Sequence, residues 1–577
     1  MPGGYLQLVR RFRIPALFCA LAVLLCELIA LPYANMGVGD DGPYVLMARN
    51  LADTGHIAFN GWATAMLGCQ LYFGAAFIKL LGFTFTTVRI STLLVAVVMA
   101  FVLQRTFFRA GISERNATIG TLALVLSPLY LTLSVTFMSD IFGLFAVVIC
   151  LYGCLRALQA STTRTAIGWL CFAVATNAIC GTSRQIAWLG ILVMVPSTLW
   201  LLRTQRRVFI TGIVATFAGI LFILVCMQWL KHQPYSKPEH LLPTSFPVAR
   251  TLSELVHFYL DVPFLLLPIM ALFLPEIRRS SRRFRVAISI VSLSYILLVI
   301  HFRHSHPGFL LEPTVESWIG VRGVAGGMFL QGTPPIFLHT SIRVLLTVVS
   351  IGGLFGLIAS WLHTRRAPPV ADPSHGSSWK QLRIVLAPFA IAYVLLLVPR
   401  ATGWLYDRYT LALLVMALLC LVRYYEERIN RRLPVYSIFL VGMMAIYGVV
   451  ITHNMFALYR ARVVMAAEIR ASGIPDTAVD NGWEYNFGVE IEHAGFLNDE
   501  RIEIPAHAYV PALPLPAGTC PTYSFDETPH IHPLYGISFD PNACYGTAPF
   551  APVHYSTWPY STPGTLYVVK YTPPSKS

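Results

Sequence analysis

The chain has 577 residues, 56% of them hydrophobic and only 12% charged, with a net charge of +14 and a mean hydropathy of +0.62. Soluble globular chains run at roughly 45–50% apolar and about 25% charged, and here apolar blocks of about 17–25 residues recur, each long enough to cross a hydrocarbon core. This excludes a soluble enzyme, a disordered chain and a secreted disulfide scaffold, and predicts an all-α polytopic membrane protein.

In chain order the apolar blocks predict thirteen spans, near 14–34, 85–106, 117–137, 141–160, 165–182, 186–203, 208–230, 260–275, 286–302, 340–362, 382–399, 409–423 and 435–453. The first 453 residues are basic, and their Arg clusters sit between the blocks: Arg10, Arg11 and Arg13; Arg203, Arg206 and Arg207; Arg278 to Arg285; Arg428, Arg431 and Arg432. Read as positive-inside signals, they place the N-terminus in the cytoplasm and the C-terminal tail outside. No aromatic-interleaved basic patch accompanies them, so no nucleic-acid partner is expected. Residues 62–82 are apolar enough to span, but counting them would turn Arg278 to Arg285 outward. They read instead as an interfacial or re-entrant helix in the first external loop.

Ten acids of the first 453 residues then fall at or near the outer face, among them Asp40, Asp41, Asp140, Glu239, Glu316 and Asp407. Chemistry that needs carboxylates therefore belongs outside, where the long loops 35–84, 231–259 and 303–339 also lie. The spans form one predicted domain, 1–453. Residues 454–577 carry 6 Lys/Arg against 12 Asp/Glu and no spanning block. They predict a small external α/β or mostly β domain, with Thr565–Tyr571 as a strand. Of the eleven cysteines, only Cys520 and Cys544 lie in this tail, and whether they pair is left open. Glu27, inside the first span, is either functional or a buried structural acid. His301, His304 and His306 lack metal-ligand spacing and read as loop.

The first external loop opens with Asp40-Asp41-x-x-Tyr44 and continues Ala48-Arg49. Adjacent carboxylates repel, so one tends to be paired or metal-bound; a helix N-cap is the plainer alternative. This run resembles the acidic pair, Tyr and Ala-Arg that open the first external loop of GT-C glycosyltransferases. These include protein O-mannosyltransferases and lipid A aminoarabinose transferases. Met138-Ser139-Asp140 resembles the family's second acidic position, Arg184-Gln185 its basic residue at the next outer loop, and Tyr406-Asp407-Arg408-Tyr409 its late Arg-Tyr pair. Gln70 and Lys79 stand where family members often carry an obvious Lys, which leaves metal binding and sugar choice open.

The resemblance implies transfer, with inversion, of a hexosyl or pentosyl group from a polyprenyl-phosphate sugar to an extracytoplasmic glycan, lipid or protein at a plasma (inner) membrane. Asp40 is the expected general base and Asp41 the residue that orients the acceptor or tunes Asp40. Asp140 would position the acceptor or, with Asp40, hold a divalent metal ion, although no cofactor is certain. Arg184 and Arg408 would bind the lipid phosphate, with Tyr44, Arg49, Gln185, Asp407 and Tyr409 as further substrate-loop candidates. The rival structural roles are a cap for Asp140, an interfacial anchor for Arg184, and an Asp407–Arg408 pair. A transporter or flippase of a lipid-linked anion is the alternative function; the sequence predicts neither the repeat halves nor the interrupted spans that would support it.

Overall fold

The computed structural model describes residues 3–238, 245–302, 310–313, 318–324, 330–365, 368, 370, 375–403 and 405–573, with the side chains of 3–13 left aside. Glu239, Glu316, His304 and His306 lie outside the described residues, and His301, expected in a loop, lies in the last turn of the helix Arg282–Phe302. Each of the thirteen expected segments is helical. Eight helices are long and apolar enough to cross a membrane, and two more segments qualify as bent pairs. The other three are the apolar stretch Ile14–Ala30, the segment Gln185–Leu201 and the 19-residue helix Thr163–Gly181.

The two bent pairs correct the expected straight spans at 117–137 and 260–275 and, with them, the expectation that no span is interrupted. Glu114–Val125 meets Pro128–Ser134 at 66°, and Val248–Leu265 meets Leu267–Arg279 at 70°. Proline supplies no amide hydrogen and clashes with the preceding turn. Pro128 opens the second half of the first pair behind the Ser127 cap, while Pro263 and Pro268 flank the break in the other. The turn that follows the second half of the first pair places Met138, Ser139 and Asp140 at the cavity described below.

Residues 62–82 yield a helix only over Gly68–Leu81, 14 residues or about 21 Å, too short to cross. It packs on the first-loop helix Asp41–Thr54 and on Phe85–Arg109 and leaves Leu80 and Leu81 exposed, as expected of an interfacial helix. Glu27 is buried and accepts a hydrogen bond from Ser134 Oγ (3.1 Å).

The last helix, Val435–Ala471, runs 37 residues, about 55 Å, so the expected boundary at 453/454 falls within a continuous helix. Its second half supplies Ala457, Ala461, Met465 and Ile469 to a core shared with Ile537, Leu566 and Val568 of the tail sheet. That sheet has four strands in the order Val479–Asp480, Tyr535–Ser538, Gly564–Lys570, Val553–Tyr555. The first pair is parallel and the others antiparallel. Cys520 and Cys544 form a disulfide with Cα atoms 5.8 Å apart. At the junction, Arg462 and Glu484 pair at 3.0 Å with no exposure of either side chain, and the Glu484 carbonyl lies against Gly37 and Gly42 of the first loop. The membrane bundle, first loop and tail thereby meet at one place.

Candidate active site

The turn before the first-loop helix decides which of the two adjacent acids does what. Gly39 has φ +57°, and a Cβ there would fall 2.9 Å from the Trp318 ring, so only glycine fits. Beyond it, Asp41 is fully buried. Its carboxylate accepts from Arg89 Nε (2.8 Å) and Nη2 (3.0 Å), from Val38 N (2.7 Å) and from Phe137 N (3.1 Å). Arg89 also donates to the carbonyls of Ala34 and Met36. Asp41 therefore clamps the loop start to the helix Phe85–Arg109 and to the Phe137 turn. It lines no part of the cavity, contrary to the expectation that it orients the acceptor.

Asp40 occupies the N-cap position, yet its side chain makes no capping bond. Instead Oδ2 accepts from Arg408 Nη2 at 2.7 Å, and the side chain keeps 22% exposure. The other oxygen carries no hydrogen bond among the described residues. Asp40 faces a cavity of about 410 Å³ at the ends of the helices, which Tyr44, Asp140, Arg184, Gln185, Arg408 and Tyr409 also line. Burial, reinforced by the neighbouring Asp40, holds the Tyr44 phenol protonated above its ordinary range.

Asp140 lies in the first turn of Ser139–Leu158 but does not cap it; its carboxylate accepts from Arg184 Nη1 at 2.5 Å. Arg184 in turn lies over the Tyr409 ring, 5.1 Å from its centroid. It reaches this place because residue 143 is glycine: a Cβ there would fall 2.8 Å from Arg184 Cδ and 2.9 Å from its Cβ. Gly143→Val is expected to displace Arg184 and lower activity about 10-fold or more, the scale set by losing one charge-assisted bond, with the helix retained. Circular dichroism alongside the activity assay checks both halves.

Asp407 and Arg408 do not pair with each other side chain to side chain. Asp407 is buried and accepts from the backbone N–H groups of Trp318 (3.1 Å), Ile319 (2.9 Å) and Arg408 (2.7 Å). It holds the loop at 318–319 and frees the Arg408 guanidinium for Asp40. Arg408 is enclosed by the rings of Tyr406, Tyr409 and Trp318 at 4.7, 5.6 and 5.7 Å. Two further candidates fall away from the cavity. Arg49 is half-exposed, 4.7 Å over the Phe83 ring and 3.8 Å from Glu492, and Asp407 acts only from behind Arg408.

Four lining residues escape a reading of the sequence: Lys237, Arg400, Arg501 and Trp62. Lys237 comes from the segment after the helix Arg206–Lys231 and Arg501 from the tail, and both bond to Asp499, at 3.1 and 2.6 Å. Lys237 also sits 4.4 Å over the Trp62 ring. Their only signal is membership of a long predicted loop and of the tail. Arg400 reads from sequence as a membrane-boundary residue.

The lining thus holds five cationic side chains, Arg184, Lys237, Arg400, Arg408 and Arg501, against two carboxylates. A divalent metal between Asp40 and Asp140 does not fit this donor set. Each carboxylate already faces a guanidinium, and no group of three or more His, Cys, Asp or Glu side chains able to hold a metal occurs among the described residues. The lining is rich in cations, and one oxygen of Asp40 makes no hydrogen bond among the described residues.

Fold and site together define a multi-pass helical membrane protein with a cationic, carboxylate-bearing cavity at one end of the bundle, to which the C-terminal tail contributes Arg501. Comparison with family models and with curated proteins finds no match. Among solved structures the chain is similar to ArnT from Cupriavidus metallidurans in the apo state, at 14% identity and TM-score 0.40, covering 96% of this chain and 97% of that one. It is similar to the same protein bound to undecaprenyl phosphate, at 12% identity and TM-score 0.40, covering 99% of each chain. The Archaeoglobus fulgidus oligosaccharyltransferase in complex with Zn and sulfate matches at 13% identity and TM-score 0.41, over 90% of this chain and 67% of that one. Likeness at this level carries no argument about the site, which stands on its own geometry.

Proposed function

We propose that the chain is an integral membrane glycosyltransferase of the GT-C type. It takes a hexosyl or pentosyl group from a polyprenyl-phosphate donor and passes it to a glycan, lipid or protein acceptor on the outer face of the plasma (inner) membrane. The observation that carries this reading is the 410 Å³ cavity with five cations and a partly exposed Asp40 at the helix ends. A phosphate there meets Arg184, Arg400 and Arg408, while the apolar flank of Ile186, Leu396 and Leu397 receives the first units of a lipid tail.

In the proposed step the acceptor hydroxyl attacks the anomeric carbon as the bond from that carbon to the phosphate oxygen breaks. The free oxygen of Asp40 takes the hydroxyl proton. The bond pair leaves with the polyprenyl phosphate, whose growing charge the fixed guanidinium groups stabilise. A single displacement inverts the anomeric carbon. The Arg408–Asp40 bond orients the base, and Asp140 orients Arg184, so each carboxylate–guanidinium pair places one base or phosphate ligand.

Binding separates these roles. Purified Arg184→Gln is expected to bind a polyprenyl phosphate about 10–100-fold more weakly than wild type, the value of a charge-assisted hydrogen bond, whereas Asp40→Asn binds it as wild type does. Unchanged binding by Arg184→Gln contradicts the assignment of this cavity to the donor phosphate.

A further inference from the structure

Two helices that end at the catalytic cavity, Trp379–Leu397 and Leu411–Arg428, form at their opposite ends, with Thr340–Thr364, a second cleft of about 1000 Å³. Its walls are apolar, built from Leu382, Leu386, Leu413 and Met416. It continues into a neighbouring apolar cleft of about 530 Å³ that shares Trp361, Trp379, Cys420 and Tyr424 with it. Its rim is cationic: Arg365, Lys380, Arg383 and Arg428 all line it, with no Asp or Glu among the lining residues. From the catalytic end it is separated by the length of Trp379–Leu397, 19 residues or about 28 Å. The positive-inside reading puts it in the cytoplasmic leaflet.

Two features show that Lys380 and Arg383 are not balanced among the described residues. Lys380 and Arg383 stand in the first two turns of the helix Trp379–Leu397, whose first turn carries no acid. Cations are unfavourable at a helix N-terminus, and an anion there is favourable. Neither makes an ion pair among the described residues, and the nearby acids are engaged elsewhere. Glu427 pairs with Arg423 at 2.7 Å and accepts from the Trp379 indole N–H, and Glu426 accepts from Ser113 and Asn116. A strip of apolar wall under such a rim matches a molecule with an anionic head and hydrocarbon tails, and basic pockets between spanning helices on the cytoplasmic side take lipid head groups of that kind.

We propose that this cleft binds an anionic diacyl phospholipid of the cytoplasmic leaflet, its phosphate at Lys380 and Arg383 and its acyl chains along Leu386, Met416 and Trp361. The proposal is independent of the transferase reading. The full-length protein in neutral detergent is titrated with dioleoyl phosphatidylglycerol or dioleoyl phosphatidylcholine, and bound lipid is counted by native mass spectrometry. At about 1 kcal/mol for each basic residue, the wild type prefers the anionic lipid by about 30-fold or more, and Lys380→Gln/Arg383→Gln lowers that preference about 30-fold. Excess inorganic phosphate does not displace the lipid, because the tails carry part of the affinity. Equal binding of both lipids by the wild type, an unchanged preference in the double variant, or displacement by inorganic phosphate overturns the proposal.

Discussion

Asp40→Asn is expected to leave the protein folded and to lower sugar transfer by about 10²–10⁴-fold, the range contributed by a positioned general base. The change keeps the size of the side chain and its place beside Arg408. The side chain makes no capping bond, so no helix cap is lost. What disappears is the oxygen that receives the acceptor proton. The readout is kcat with a polyprenyl-phosphate sugar, together with a melting temperature close to that of the wild type. An Asn variant with wild-type kcat removes Asp40 from the role of base.

The neighbouring substitution should fail for a different reason. Asp41→Ala leaves Arg89 buried without its carboxylate, and breaking a buried ion pair costs about 3–5 kcal/mol. The backbone N–H groups of Val38 and Phe137 lose their acceptor as well. The expected result is a large fall in thermal stability and yield, with residual activity per folded molecule set by how well Asp40 and Asp140 keep their places. Arg89→Met/Asp41→Leu, which removes both charges, should recover part of the stability. Two adjacent aspartates thus separate cleanly in one pair of assays, one moving kcat and the other the melting temperature.

That contrast also marks how far sequence reasoning reaches. Apolar blocks and Arg clusters suffice to locate the helical segments, because crossing length and charge distribution are local properties of a chain. They do not reveal that 117–137 and 260–275 bend, although Pro128, Pro263 and Pro268 stand inside those runs. Hydropathy averages over the proline where backbone geometry does not. The pairings Asp40–Arg408, Asp140–Arg184 and Asp41–Arg89 each join residues tens to hundreds of positions apart. Neighbouring aspartates look equivalent until the left-handed turn at Gly39 sends them to different partners. Arg49 illustrates the opposite error: it sits in the motif but rests on Phe83 at the surface. Lys237 and Arg501 come from segments with no motif at all, and only folding of the tail over the first loop brings them to the cavity.

The most direct test of the central claim is mass spectrometry of envelope glycans and lipids in cells lacking this chain, complemented with either wild type or Asp40→Asn. The account predicts a sugar modification that is absent without the chain and restored by wild type alone, with the polyprenyl-phosphate sugar accumulating in the Asp40→Asn cells. Restoration by both versions would contradict it and turn the cavity into a binding site for transport.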